Sequence, residues 1–501
     1  KLSESTLKRI YGLVKTKDHP SKFTLNTLSI YCGFNDFQDF GDSFNQNNIS
    51  NIKWDQLKDN SRIVSGYTLE SIKQNSGIGF QNTLKRKSVF NQVSELYHSN
   101  NIATAVIAEG GTGKSISLAQ VADEFWLGEN PKYSNDIVWF ISGSNLRGMF
   151  SKQFELETWF LEMFGLVKNS DIRKYLDQNP QERKGKLILI LDAVDEIVIK
   201  TDELDEIFRK LIEFISSSAT NNWIKVILST RSHTWERFIE ISKDYNGIAK
   251  LFYGVNFNNL TDDVSNLPVL EVSEVKTIIK NYQRESKDLK IELNNITPNL
   301  WRILSHPYYL QLYLQGYFEE KNEINNSYDL LSSFLKYRVY KGRYGFEKNE
   351  IFQAIIQNTS IGSKSVSVKR KEIESILNRY HRAYKELLSF GILKEQSVLN
   401  KFKVYVNYIS FGHDHLFEFL IAKYWLEQNN GFNFTVLLKV TKFYDGNEKR
   451  LDILKQIISY GLETGEYKEL VRIFDLKLEE YELNALSHLM GMHIRTSTEA
   501  Q

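Results

Sequence analysis

The segment 108–115, Ala-Glu-Gly-Gly-Thr-Gly-Lys-Ser, constrains what this chain can fold into more than any other feature. It joins the apolar run 103–108 to the amphipathic segment 116–126. This order predicts a buried strand, a glycine turn and a helix. The glycines let the backbone curl until several N–H groups point into one concavity, and the dipole of the following helix adds positive potential there. The segment therefore predicts a loop that binds phosphate groups.

Each residue type in this loop suits one part of a nucleoside triphosphate. Lys114 is expected to reach the β- and γ-phosphates, and the Ser115 hydroxyl is expected to ligate Mg²⁺. The remaining cofactor-binding candidates are the neighbours of these two: Gly110, Gly111, Thr112, Gly113 and Ile116. A glycine turn between a strand and a helix can also be a plain connector, but Gly-Lys-Ser at this spacing favours nucleotide binding.

A second polar cluster follows the apolar run 187–191, Leu-Ile-Leu-Ile-Leu. Asp192, Asp195 and Glu196 come at its carboxyl end, and ligands of open α/β sheets bind at that edge. Asp192 is placed to hold Mg²⁺ through water, opposite Ser115. Glu196 is the candidate to orient or deprotonate an attacking water, with Asp195 as a second polar support near the metal. Acids after a strand are common on surfaces, but downstream of a phosphate loop they predict a catalytic site.

A third, mostly apolar run, 223–228, ends in Ser229-Thr230-Arg231. This strand would deliver a small polar pair and an arginine to the same edge of the sheet. Arg231 is expected to sense the γ-phosphate and report hydrolysis. The alternative is an ordinary strand-end arginine that pairs with a surface acid. The two other motifs favour the role at the phosphate.

Composition narrows the class of protein. The chain has 501 residues, and about three or four domains are expected because one core does not grow to that size. Its hydrophobic content of 42% is that of a globular protein, and its net charge of +1 gives no global attraction to nucleic acid or membrane. The single cysteine, Cys32, excludes an internal disulfide framework and a cysteine-based zinc site. No apolar run approaches the roughly 20 residues that span a bilayer, so we expect a cytoplasmic protein without membrane contact.

The order of patterns along the chain predicts the fold class. From residue 83 to residue 266, helical patterns alternate with short continuous apolar runs. Buried parallel strands have this appearance, and the βαβα order predicts a doubly wound sheet with helices on both faces. The segment before it is rich in Asn, Ser, Gln and Asp and predicts a linker. After residue 267 the pattern is almost wholly helical, except that residues 401–411 alternate like a short hairpin.

The three motifs resemble those of the STAND class of signal-transducing ATPases, and within it the NACHT family. Residues 110–115 resemble the phosphate loop of the family. Residues 191–196, Leu-Asp-Ala-Val-Asp-Glu, resemble its acidic box, and residues 228–231, Leu-Ser-Thr-Arg, resemble its sensor strand. Ala193 stands where the family usually has glycine, and its methyl group is expected to tighten the metal site.

Two further matches lie downstream. Residues 304–310, Leu-Ser-His-Pro-Tyr-Tyr-Leu, resemble a motif in which the proline, here Pro307, packs on the nucleotide. A helix started by proline at its first position is the alternative. Residues 411–422, Phe-Gly-His-Asp-His-Leu-Phe-Glu-Phe-Leu-Ile-Ala, resemble the winged-helix signature of the family. The resemblance implies that His413, at the start of a helix, touches the β-phosphate of ADP, while His415 is expected at the surface.

The resemblance covers roughly residues 83–430 and implies the architecture. It implies a P-loop NTPase core with a parallel sheet in three layers, α/β/α, followed by a helical domain, a winged-helix domain and a short all-α region. The expected domains are 1–50, helix-turn-helix-like; 51–82, linker; 83–266, P-loop NTPase; 267–345, helical; 346–430, winged helix; and 431–501, helical C-terminal region.

The resemblance also implies a function, an ATP/ADP-dependent switch that requires Mg²⁺ and hydrolyses ATP slowly. ADP would hold a closed monomer, and exchange for ATP would release the winged helix and allow self-association. The nucleotide shifts this equilibrium only by its differential affinity for the two states. In bacteria such proteins resemble antiphage immune sensors, for which a phage component would be the trigger. A P-loop ATPase with continuous turnover, such as a motor or a loader, is a rival interpretation.

The two ends of the chain leave alternatives open. Residues 1–50 resemble the second half of a repressor-like helix-turn-helix domain, and the opening at Lys1 rather than Met suggests truncation. A STAND-type transcriptional regulator that binds DNA through these residues is the main alternative function. A protein-interaction role is favoured over base readout because the local excess of Lys and Arg is modest. Residues 431–501 are expected to sense the trigger or to form a helical cap on the winged helix.

Overall fold

The structure of the chain is a computed structural model. It describes residues 25–26, 29–30, 54–146, 176–197, 200–257, 265–285, 291–315, 324, 327–399 and 405–499. The chain divides into two compact units, residues 1–60 with 158–184, and residues 61–157 with 185–501. In the smaller unit, Lys184 forms an ion pair with Asp55. Everything below concerns the larger unit. The predictions for residues 1–50 fall almost wholly outside the described residues.

Four parallel strands form the central sheet. They are β1 (Ala103–Ile107), β2 (Ile137–Ser142), β3 (Leu187–Asp192) and β4 (Ile224–Thr230), in the order β1-β4-β3-β2. The sequence predicts strands at 103–108, 137–141, 187–191 and 224–229, so each observed strand begins at the predicted residue and ends within one residue of the prediction. Because β4 lies between β1 and β3, its polar end falls between the phosphate loop and the acidic segment.

The strand side chains are buried on both faces of the sheet. Val106, Phe140 and Ile190 belong to an apolar cluster with residues of the helices on one face. The strand residues of opposite parity, such as Trp139 and Leu189, are also fully buried. Helices therefore cover both faces, as the prediction of an α/β core requires.

The described α-helices, the first of which begins in the smaller unit, occur on both sides of the sheet and throughout the C-terminal half. They are α1 (Trp54–Asn75), α2 (Lys87–His98), α3 (Lys114–Ala122), α4 (Gly143–Leu146), α5 (Thr201–Ser217), α6 (Ser232–Ser242), α7 (Val272–Glu285), α8 (Pro298–Leu304), α9 (Pro307–Gln315), α10 (Ser327–Leu335), α11 (Gly345–Asn358), α12 (Glu374–Arg379), α13 (His381–Ser389), α14 (Asp414–Gln428), α15 (Phe434–Phe443), α16 (Arg450–Glu463), α17 (Tyr467–Leu470) and α18 (Glu480–Glu499).

Helix α1 corrects the prediction of a linker at residues 51–82. Its Ser65 hydroxyl donates to the Val138 carbonyl at 2.7 Å and accepts from the Phe140 N–H at 2.8 Å. Ser61 accepts from the Val138 N–H at 3.2 Å. Strand β2 ends the strand order, and these serines satisfy backbone groups that an edge strand leaves free. The polar composition that suggested a linker is what lets this helix cover a sheet edge.

A second, smaller sheet lies in the C-terminal half. It is antiparallel and has three strands, β5 (Ser367–Lys369), β6 (Leu393–Leu399) and β7 (Tyr405–Phe411), in the order β5-β7-β6. Leu393 lies opposite Phe411, and Leu399 lies opposite Tyr405. Strand β7 matches the second half of the predicted hairpin at 401–411, while residues 400–404 are outside the described part.

One apolar cluster connects the second sheet to the C-terminal helices. Its buried members extend from Tyr308 in α9 through Phe411 in β7 to Leu486 in α18. The cluster contains residues on both sides of the predicted domain boundaries at 345/346 and 430/431. These boundaries stay predictions. No helix among the described residues is long and apolar enough to cross a membrane.

Candidate functional site

The loop between β1 and α3 has the backbone conformation that its glycines allow. Gly111 and Gly113 have φ of 72° and 91°, in the left-handed region that favours glycine. A Cβ on Gly111 would lie 2.7 Å from Tyr308 Cβ and 2.8 Å from the His306 ring. The Tyr308 N–H donates to the Gly111 carbonyl at 3.1 Å. Only glycine fits here, because the chain around residue 308 packs directly on the loop.

Lys114 folds back across this loop. Its ammonium donates to the carbonyl of Ala108 at 2.8 Å and to that of Glu109 at 2.9 Å. The side chain is buried, and burial lowers the pKa of Lys114, although Asp195 opposes this effect. Within the described part of the chain, the hydrogen bonds of this buried ammonium go only to carbonyl oxygens. A bound anion would offset the cost of its desolvation, so Lys114 is well suited to bind one.

The ends of β3 and β4 are joined by a hydrogen-bonded chain. Ser229 donates to Asp192 at 2.5 Å, and its oxygen accepts from the Ala193 N–H at 2.8 Å. Burial raises the pKa of Asp192, and side-chain hydrogen bonds with Ser229 and Ser115 act against this shift. Ser115 and Asp192, the two predicted metal ligands, thus lie in contact.

Arg231 pairs with four carboxylates, which we call the Arg231 cage: Asp195, Asp414, Glu418 and Asp452. Its nitrogens lie 3.0 Å from Asp195, 3.0 Å from Asp414 and 3.1 Å from Glu418, and they also contact Asp452. Neither sequence interpretation of this arginine foresaw buried partners, since the expected acid was a surface one. The Arg231 side chain is only 6% exposed. These four charges hold the pKa of Arg231 above its usual range despite burial.

Lys449 is a second cation in the same network. It lies 2.5 Å from Asp414 and 3.2 Å from Glu418. Two cations therefore face the four carboxylates of the cage. Burial raises the pKa of Asp452 to about 6, with Arg231 acting in the opposite direction. The network is rich in negative charge and is sensitive to any further anion.

Aromatic and histidine side chains lie over the loop. His413 caps the N-terminus of α14 and stacks on Tyr308, with ring centroids 3.9 Å apart. His415 hydrogen-bonds the Gly110 carbonyl at 2.8 Å and lies 3.3 Å from Glu418. The prediction of a surface position for His415 is wrong, because the first turn of α14 packs against the loop. Burial lowers the pKa of His306 to about 3.

A cavity of about 320 Å³ opens beside these groups. Its polar lining includes the loop, Asp195 and Glu196. Burial raises the pKa of Glu196 to about 7, and Asp414 adds to the shift. Its apolar lining includes Ile72, Ile78, Leu84, Leu270, Ile278 and Leu310, and all of these except Ile72 belong to one apolar cluster. A cavity lined by both an anion-binding loop and an apolar cluster suits a nucleotide, which has an anionic part and an apolar part.

The predicted site residues come together, with one exception. Asp192 is not among the residues that line the cavity, whereas the others line it: Gly110, Gly111, Thr112, Gly113, Lys114, Ser115, Ile116, Asp195, Glu196, Arg231, Pro307 and His413. Tyr308, Lys394 and Asp414 also line the cavity, although the sequence motifs did not predict them as site residues. The only signal for Asp414 was its position directly after His413.

The residues present fit a nucleotide with Mg²⁺. The glycine cradle leaves no room for a side chain at residue 111, and Asp195 has one buried oxygen without a hydrogen-bond partner among the described residues. Hydroxyl and carboxylate oxygens, as on Ser115 and Asp192, are the donors that Mg²⁺ prefers. Among the described residues, no group of three or more His, Cys, Asp or Glu side chains is arranged to hold a metal by itself. Phosphate oxygens would have to complete such a site.

A strand, a glycine loop and a helix at the edge of a parallel sheet define an α/β protein with a phosphate loop. No protein-family model and no curated protein matches the chain. Among solved structures, the Aeropyrum pernix ORC1 protein in complex with DNA is 11% identical with a TM-score of 0.28, covering 68% of this chain and 93% of that one. The Aeropyrum pernix ORC2 protein in ADPNP–ADP complexes is 11% identical with a TM-score of 0.30, covering 66% and 90%. Drosophila ORC bound to DNA is 10% identical with a TM-score of 0.27, covering 82% and 96%. Similarity at these scores carries no functional conclusion.

Proposed function

We propose that the chain is an ATP/ADP-dependent switch of the NACHT/STAND type that hydrolyses ATP slowly and self-associates when activated. In this proposal it is a bacterial antiphage sensor, and a phage component is its trigger. The residues 267–345 act as the helical domain and 346–430 as the winged helix. The specific biological role rests on the resemblance of the motifs, and the nucleotide-dependent switch rests on the geometry of the cavity.

One observation carries the proposal of a switch. The phosphate loop is covered by side chains from two distant segments, Tyr308 in α9 and His413 at the start of α14, which stack on each other. A ligand in the loop would therefore contact the core and both downstream segments at once. A triphosphate has one phosphate more than a diphosphate and would make additional contacts there, which would give the two nucleotides the differential affinity that a switch requires.

Each predicted residue has a part in this function. Lys114 and the backbone N–H groups of the loop bind the phosphates. Pro307, which lies near Gly113, and His413 cover the bound nucleotide. A carboxyl oxygen of Glu196 takes a proton from the attacking water, a role that suits a group whose pKa burial raises to about 7. Asp195 and Arg231 hold the charges around the γ-phosphate position.

Ser115 and Asp192 are the residues that would hold Mg²⁺. When bound, the ion supplies neutralisation of the phosphate charge. Because Ser115 and Asp192 lie close to each other, their oxygens would need little rearrangement to take up the ion.

Substitution of Lys114 tests nucleotide binding. Lys114→Ala removes the ammonium that meets the phosphates, and a hydrogen bond to a charged group contributes about 1.5–3 kcal/mol. We expect at least a roughly tenfold loss of ADP affinity by isothermal titration calorimetry. Lys369→Ala, at an exposed ion pair of β5, is the matched control and should bind ADP normally. Equal affinities of the Lys114 variant and the wild type would refute the assignment of the loop.

Plaque assays test the biological role. Bacteria that express the full chain should resist a phage that activates it, and the Lys114→Ala variant should not protect. The alternative, a regulator that binds DNA through residues 1–50, predicts instead a salt-dependent and sequence-specific gel shift.

A further inference from the structure

Helix α16 contacts the nucleotide-binding part of the chain through two ion pairs of opposite polarity. Asp452 in its first turn pairs with Arg231 at the end of β4. Lys455, three residues later and on the same face of the helix, lies 3.1 Å from Glu109 in the phosphate loop. The sequence analysis assigned this helix to a sensor or a cap and gave it no contact with the loop.

The two pairs differ in strength. Asp452 and Arg231 are each 6% exposed, so their pair is shielded from solvent. Lys455 is 19% exposed and Glu109 is 48% exposed, and such partly exposed pairs contribute little. Removal of one member of the buried pair is therefore expected to have the larger effect. The exposed pair helps to fix the orientation of α16. In this pair the helix supplies the cation, whereas in the buried pair it supplies the anion.

Arg231 connects α16 to the cavity. It lines the cavity together with Asp195 and Asp414, two members of its own cage. A γ-phosphate at this end of the cavity would compete with Asp452 for the guanidinium. It would also bring negative charge towards Asp195 and Asp414. A diphosphate lacks this group and would leave the cage intact.

We propose that α16 is an autoinhibitory clamp that holds the C-terminal helices on the phosphate loop with ADP bound, and that a nucleoside triphosphate opens it by drawing Arg231 away from Asp452. This inference rests on the proposed function. It adds a second contact, independent of His413, through which the C-terminal half reads the nucleotide.

Release of ADP measures the clamp. Stopped-flow dissociation of N-methylanthraniloyl-ADP from the full chain should be about tenfold faster or more in Asp452→Asn. Lys455→Met and Glu109→Gln should each accelerate release by a few-fold, and the double variant should be no faster than either single variant. Lys369→Met, at the exposed pair with Glu372, is the control and should stay within twofold of the wild type.

The outcomes separate the clamp from the proposed function. A wild type that does not bind the fluorescent ADP refutes the proposed function and the clamp together. A wild type that binds it, with release from Lys455→Met and Asp452→Asn matching the control, refutes the clamp alone. Circular dichroism checks folding, and where Asp452→Asn does not fold, Lys455→Met and Glu109→Gln decide the result.

Amide hydrogen exchange tests the opening step. With a non-hydrolysable ATP analogue and Mg²⁺, residues 450–463 should exchange at least about fivefold faster than with ADP. Equal exchange rates in the two nucleotide states would show that the triphosphate does not open the clamp.

Discussion

Ala193 holds a left-handed backbone conformation at the tip of β3, with φ of 55° and ψ of 59°. Its N–H donates to Ser229, so the conformation belongs to the hydrogen-bonded chain that positions Asp192. This conformation costs a residue with a side chain about 1–2 kcal/mol, whereas glycine adopts it freely. An alanine at this position therefore introduces backbone strain, in addition to the expected crowding of the metal site.

Ala193→Gly tests this strain. The relief of about 1–2 kcal/mol exceeds the roughly 0.5–1 kcal/mol that glycine loses in conformational freedom. We expect the free energy of unfolding to rise by about 0.5–1 kcal/mol in urea denaturation. Ala485→Gly, inside helix α18, is the control and should lower it by a similar amount. A loss of stability in both variants would contradict the account of residue 193.

Local sequence predicts the loop residues but not the partners of Arg231. The glycines, Lys114 and Ser115 act within one short segment, so their spacing fixes their geometry. The partners of Arg231 include Asp414 and Asp452, which lie 183 and 221 residues further along the chain. Such pairings depend on how the C-terminal helices pack on the sheet, and no pattern within one segment reports that packing.

At the scale of elements, the four strands could be predicted from the sequence, whereas helix α1 could not. A parallel strand that is buried on both faces consists of a nearly continuous apolar run, so the four strands can be predicted from short segments of the sequence. Helix α1 buries the polar residues Ser61, Ser65 and Thr68 as well as the apolar residues Trp54, Leu57 and Leu69, so half of its buried side chains are polar. The Ser61 and Ser65 hydroxyls bond a sheet edge, and these polar positions interrupt the apolar periodicity that would predict a helix.

Ser65→Ala tests the contact between α1 and β2. The substitution leaves the Val138 carbonyl and the Phe140 N–H buried without the hydroxyl, and each unsatisfied group costs about 1–3 kcal/mol. We expect the free energy of unfolding to fall by about 2 kcal/mol. Ser71→Ala on the exposed face of the same helix should change it by less than about 0.5 kcal/mol. Indistinguishable variants in thermal or chemical denaturation would show that the edge of β2 is not held by this helix.

At the scale of the whole molecule, charged groups are buried where the C-terminal helices pack on the sheet. Glu448 lies just before α16, and one of its oxygens is buried without a hydrogen-bond partner among the described residues. Burial raises the pKa of Glu448 to about 7; Arg237 lowers it, while Asp195, Asp452 and Asp205 raise it. The predicted order of regions along the chain gave no sign of this interface.

Glu448→Gln tests that burial through its pH dependence. A carboxyl group whose pKa is higher in the folded state binds more protons there, so its ionisation lowers the free energy of unfolding as the pH rises through 7. The variant should therefore gain stability relative to the wild type between pH 6 and 8, on the order of 1 kcal/mol. Urea denaturation at both pH values measures this difference. A constant difference would place Glu448 in solvent.

The most direct test of the account is the identity of the nucleotide that the purified chain retains. The protein, incubated with ADP and Mg²⁺ and passed over a desalting column, is denatured, and the released nucleotide is quantified by mass spectrometry. The account predicts close to one ADP per chain for the wild type and for Lys369→Ala, and almost none for Lys114→Ala. A wild-type chain that releases no nucleotide, or a Lys114 variant that retains as much as the wild type, would contradict it.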